Sequence, residues 1–141
     1  MKYISDYITR SEYECRCCGQ LPPDLFANQI YVELFDIFKA VRERKGSSIY
    51  INSGFRCPKH NLVIGGSLRS VHLFGLALDM DCDDDRDVDK LYEIIREVSR
   101  DVRIGIYKGN KTFIHMDIGY KVNPRLSRFW NPGYTFYGKS I

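Results

Sequence analysis

Two short runs of this chain place a large apolar residue at every second position, and a period of two is one that only an extended strand can use. In residues 76–81, Leu76, Leu78 and Met80 alternate with Ala77, Asp79 and Asp81. In residues 112–118, Ile114, Met116 and Ile118 oppose Phe113, His115 and Asp117. Each run therefore predicts a strand that buries one face and presents carboxylates or an imidazole on the other. Residues 102–107 read as a partner of the second run, joined to it by the turn-forming Lys108-Gly109-Asn110.

Around these strands the period changes. From 28 to 45 the apolar residues Ile30, Leu34, Ile37, Phe38 and Val41 recur every three or four positions, which predicts an amphipathic helix between Pro22-Pro23 and Gly46. Residues 88–98 repeat the pattern with Leu91, Ile94, Ile95 and Val98, and Asp85 or Asp87 is the expected N-cap. Residues 48–53 read as a strand, and 58–63 as a turn or two of helix broken by Gly65-Gly66. Beyond Gly119 the Pro, Gly and aromatic content predicts an irregular tail packed over the sheet. The expectation is one α+β domain over residues 1–141, with a mostly antiparallel sheet and two main helices. Its motifs lie in 53–119 and its packing tail in 120–141.

A chain of 141 residues suits one core. The net charge of +3 is not gathered into a nucleic-acid patch, so no nucleic-acid partner is expected, and a monomer is. No run is apolar enough for a membrane span, and the opening MKYISDYITRSEYE does not read as a secretory signal. Synthesis in the cytoplasm is therefore expected, with action elsewhere after release or delivery, or as part of a virion. Of the 5 cysteines, Cys15, Cys17 and Cys18 sit together. With Cys57 they contain the ligands of a structural zinc, but the spacing favours reduced core thiols or an adventitious disulfide. The aspartates at 79, 81 and 83 imitate the start of a calcium loop, which fails at Asp84 and Lys90. Tyr107, Trp130 and Tyr134 line either a groove or the core.

His72, Asp79 and His115 are the candidate metal ligands, since three nitrogen and oxygen donors with a fourth position left to solvent make a catalytic zinc site. By spacing alone, two histidines satisfied by local hydrogen bonds account for the same residues.

The segments SGFRCPKHN (53–61), GGSLRSVHLFGLALDM (65–80) and GIYKGNKTFIHMDIG (105–119) resemble the zinc D-Ala-D-Ala carboxypeptidase family, which shares its fold with the hedgehog signalling domain. The shared pattern is Ser-x-His, then Gly-x-Ala-x-Asp, then a strand ending His-x-Asp. Arg128-Phe129-Trp130 is similar to that family's late Arg-Trp. The resemblance implies hydrolysis of an amide bond in peptidoglycan peptides, by a carboxypeptidase, a cross-link endopeptidase or a phage lysin. It implies one catalytic zinc ion on His72, Asp79 and His115. Arg56 would hold the substrate carboxylate or the developing oxyanion, and Ser70 would orient a ligand or the substrate. The family's acidic base three residues before the last histidine is replaced by Thr112, which takes up no proton near neutral pH. Asp117 is the substitute, with a ligand-supporting or salt-bridging role as its alternative and Asp81 as a minor candidate. Without a base, the chain would be a zinc-stabilised binding or virion structural module.

Overall fold

A computed structural model describes residues 2–128 and 130–138. A small ribbon, β1 (Tyr3–Ser5) and β2 (Ile8–Thr9), leads into α1 (Arg10–Tyr13). The long helix α2 (Ile30–Lys45) follows, then β3 (Ile51–Ser53) and α3 (Pro58–Val63). After a 3-10 turn at Val71–Phe74 come β4 (Ala77–Asp81), α4 (Asp85–Val98), β5 (Arg103–Lys108), β6 (Phe113–Asp117) and β7 (Tyr134–Tyr137). The five-stranded sheet has the order β3-β4-β6-β5-β7, antiparallel throughout except for β5 and β7. This is the α+β architecture expected, and none of the described helices is long and apolar enough to cross a membrane.

The alternation in β4, β5 and β6 divides the sheet into two faces. Leu78, Met80, Ile104, Ile106, Ile114 and Met116 enter the main core, where α2 and α4 pack against each other and α4 lies on β5 and β6. The other face carries Asp79, Arg103, Tyr107, His115 and Asp117, and all five are buried as well. The register sets them in rows: Asp79 faces His115 across β4 and β6, and Arg103 faces Asp117 across β5 and β6. A slip of one residue would exchange these polar groups with the core side chains, so the register is strongly specified.

Three local differences from expectation appear, while Gly46 ends its helix as expected. The cap of α4 is Asp84, whose Oδ1 accepts from the backbone N–H groups of Arg86 and Asp87 at 2.8 and 3.0 Å, leaving Asp85 and Asp87 in the first turn. In α2 the buried stripe includes Tyr31 and Phe35, while Ile37 is only partly covered. Gly46 closes that helix at φ 75, in the left-handed conformation a C-cap glycine takes. The tail is less irregular than its composition suggests, because β7 pairs with β5 and the Arg96 guanidinium Nε holds the Pro132 carbonyl at 2.7 Å.

Candidate metal centre and its cavity

His72 lies in the 3-10 turn that Ser70 opens, with the serine hydroxyl accepting from the His72 backbone N–H at 3.3 Å. Asp79 is at the middle of β4, and His115 stands directly opposite it on β6. Three elements separated in sequence thus place one ligand atom each, all within 4.8 Å of one another. Asp79 Oδ1 is the common point, 3.2 Å from His72 Nε2 and 3.0 Å from His115 Nδ1.

Each imidazole is oriented from behind. His72 Nδ1 is 2.6 Å from the Gly54 carbonyl oxygen, which only accepts, so the proton sits on Nδ1 and the Nε2 lone pair points inward. Burial lowers the His72 pKa and keeps the ring neutral. Its Nε2 is buried without a hydrogen-bond partner and faces a carboxylate oxygen. Two lone pairs held this close call for a cation between them, and on that observation the three residues fit a metal ion.

Behind His115, Nε2 is 2.6 Å from Asp117 Oδ2. Burial alone would lower this imidazole's pKa, but hydrogen bonds to Asp117 and Asp79 push it up to about 9. Without metal His115 is therefore a cation sharing its two protons between two carboxylates. A metal ion would take the place of the inner proton. Burial would raise the Asp79 pKa, but the hydrogen bond and positive charge of His115 hold it well below the usual carboxylate range.

Asp117 does not line the cavity. It is fully buried; Oδ1 accepts from Arg103 Nε and the Gly119 N–H, both at 3.0 Å, and Oδ2 takes Arg103 Nη2 at 3.0 Å besides His115. With both oxygens engaged behind the imidazole, its geometry is that of a ligand-orienting partner rather than of a base. Thr112, at the family's base position, bonds Asp85 at 3.0 Å, and the minor candidate Asp81 is exposed and bonds Asn52 at 2.6 Å. Among the described residues, Asp79 is the one carboxylate on the cavity wall.

The cavity measures about 300 Å³, and Arg56, Ser70, Tyr107 and Trp130 line it beside the three ligands. Arg56 is pinned by Ser53 Oγ at 3.1 Å, Asn61 Oδ1 at 3.0 Å and Asp79 Oδ2 at 3.3 Å. A guanidinium has five N–H donors, so part of its fork stays available to an anion. Asn61 is thus what aims Arg56. A Cβ on Gly66 would stand 2.2 Å from Asn61 Oδ1, so this arrangement needs glycine there. Tyr107 was open between groove and core; it stacks on Phe113 and Phe136 and lines the cavity, with burial first among the causes that push its phenol up to about 12. Trp130 packs edge-on against His115 and lies under the Arg103 guanidinium. Phe129, the middle residue of the late Arg-Phe-Trp, lies outside the described residues.

Four cysteines from two separate stretches, residues 15–18 and position 57, also converge. The sulfurs of Cys15, Cys17, Cys18 and Cys57 lie within 4.8 Å of one another, and all five cysteines are unbridged. The expectation of reduced thiols holds, but only Cys15 is a core residue: Cys17 and Cys18 are exposed and Cys57 is half-buried.

Compared with known families, residues 6–117 match the family model described as Peptidase M15. No curated protein matches the chain.

Proposed function

We propose that this chain, which belongs to the peptidase M15 family, hydrolyses an amide bond in peptidoglycan peptides with a zinc ion held by His72, Asp79 and His115. Membership makes it a metallopeptidase of the D-Ala-D-Ala carboxypeptidase-like kind; the wall peptide, the zinc and the residue roles are this proposal's own. The single observation that carries it is the buried His72 Nε2, unpartnered and turned toward Asp79 and His115.

A zinc ion held there supplies Lewis acidity toward the scissile carbonyl and toward water, whose pKa such sites lower to about 7. The chain's own groups do the rest. Gly54 and Asp117 fix the two imidazoles, so ligand geometry needs no rearrangement during reaction. Arg56 offers its remaining N–H groups to the peptide carboxylate or to the oxyanion. Tyr107, kept protonated, is a neutral hydrogen-bond donor beside it, and Ser70 both caps the His72 turn and faces the peptide. Burial of the whole set removes competing solvent and strengthens each of these interactions.

The second reading, a module that binds peptide without cutting, draws on the cavity wall's having Asp79 as its one described carboxylate. Incubating the protein with muropeptides, with and without a chelator, separates the two. Zinc-dependent appearance of a new amine and carboxylate is expected. Peptide retained intact at full zinc occupancy would leave the binding module. The same experiment with cross-linked and uncross-linked muropeptides distinguishes endopeptidase from carboxypeptidase action, and release of wall fragments from intact cells tests the lysin role.

A further inference from the structure

We propose that Cys15, Cys17, Cys18 and Cys57 form a second, structural zinc site that clips the N-terminal segment to the turn carrying Arg56. This stands on geometry separate from the His72 centre and does not depend on the function proposed above.

The sulfur spacing is the first argument. Cys15 Sγ and Cys17 Sγ are 3.7 Å apart, and Cys17 Sγ and Cys57 Sγ are 3.4 Å apart. Bonded sulfurs would be about 2.05 Å apart, whereas thiolates about 2.3 Å from one tetrahedral zinc stand about 3.8 Å from each other. The observed values lie near the second figure. An ordinary pair of disulfides also leaves no reason for all four atoms to share one centre.

The backbone around the sulfurs is the second argument. Cys15 and Cys18 have the C-x-x-C spacing of a zinc-binding turn, and Gly19 completes it at φ 68. The Gly19 N–H bonds the Cys15 carbonyl at 2.8 Å, and a Cβ on Gly19 would stand 2.8 Å from Glu14 Oε2. Backbone N–H groups are aimed at the sulfurs: Cys57 N at Cys15 Sγ, 3.3 Å, and His60 N at Cys57 Sγ, 3.4 Å. Such donors stabilise thiolates rather than thiols. Arg10 Nη2 holds the Gly19 carbonyl at 3.2 Å, which ties the turn to α1.

Four sulfur ligands leave no open position, and tetrahedral all-sulfur coordination is that of a structural zinc. The clip joins residues 15–18 to Cys57, directly after Arg56. Protein hydrogen bonds run the same way, with the Phe55 N–H on the Tyr13 carbonyl at 2.7 Å.

The test is zinc stoichiometry by elemental analysis of protein purified under reducing conditions, for wild type, His115→Ala, and the exposed pair Cys17→Ser/Cys18→Ser. About two ions per chain are expected in wild type and about one in each variant. Cobalt substitution of His115→Ala should give the intense sulfur-to-cobalt charge-transfer band, which the serine variant should lack. Titrating wild-type thiols with an organomercurial should release zinc in step with four thiols modified, a readout that needs no variant to fold. A His115→Ala protein without metal, a cobalt spectrum without thiolate character, or a Cys17–Cys57 disulfide in the freshly purified reduced protein would overturn the proposal.

Discussion

The His72-Asp79-His115 centre and the four-cysteine cluster are built in opposite ways. The first is deep, made of nitrogen and oxygen donors, backed by a second layer at Gly54, Asp117 and Arg103, and opens on a cavity. The second straddles the surface, with Cys15 buried and Cys17 and Cys18 exposed; its sulfurs are supported by local backbone N–H groups, and they close on one point. Reactivity and bracing make different demands. An ion that is to meet substrate needs a vacant position and ligands held from behind, whereas an ion that only ties chain together needs all its positions filled.

The contrast can be broken by five measurements. The largest expected effect is that of His115→Ala, which should abolish hydrolysis and remove the ion from the deep centre; retained turnover would end the ligand assignment. Arg56→Gln should lower kcat/KM by roughly 10²- to 10³-fold with zinc content unchanged, as for loss of an oxyanion or carboxylate donor. Unaltered kinetics would leave Arg56 a structural cation. Asp117→Asn keeps the shape but weakens the hold on His115, so zinc affinity should fall by roughly 10- to 100-fold, measured by competition with a chromogenic chelator. Were Asp117 instead the base, turnover would collapse at full zinc occupancy.

The fourth concerns pH. In metal-free protein the His115 pKa is raised to about 9, above the about 6.5 of the unfolded chain. Its stabilisation is therefore fully present below about pH 6.5 and is lost as pH rises through about 9, a difference on the order of a few kcal/mol. Thermal melts of metal-free protein should show Tm falling between pH 7 and 10, and saturating zinc should flatten that fall. A metal-free Tm independent of pH in this window would remove the charged imidazole from the account. Smallest is Tyr107→Phe, which removes one neutral donor and should slow turnover about tenfold or less, with zinc affinity unchanged.

What the sequence made legible was periodicity. The alternation in β4 and β6 assigned Asp79, His115 and Asp117 to one face, because side-chain direction along a strand is a local property. Which residues face one another is not local. That Arg103 lies across from Asp117 and engages both of its oxygens depends on pairing β5 with β6, and the same alternation that put Asp117 beside His115 gave no sign of it. The role of Asn61 was hidden for a similar reason: it comes from Arg56 folding back over α3. Strand β7 was hidden because its partner β5 lies across a long connection and runs parallel, so no turn signal announces it. Cys57 was grouped with residues 15–18 as a zinc set but set aside on spacing, because spacing along the chain carries no information on the fold that brings position 57 back. The match over residues 6–117 fixed the family without bearing on these details.

Five consecutive residues, 53–57, serve everything at once: Ser53 steadies Arg56, Gly54 sets the tautomer of His72, Phe55 ties to Tyr13, Arg56 enters the cavity and Cys57 joins the sulfur cluster. Each contact uses a different atom at a fixed step along the backbone, so this stretch has no slack in its length. An added or deleted residue here would shift every partner by one place.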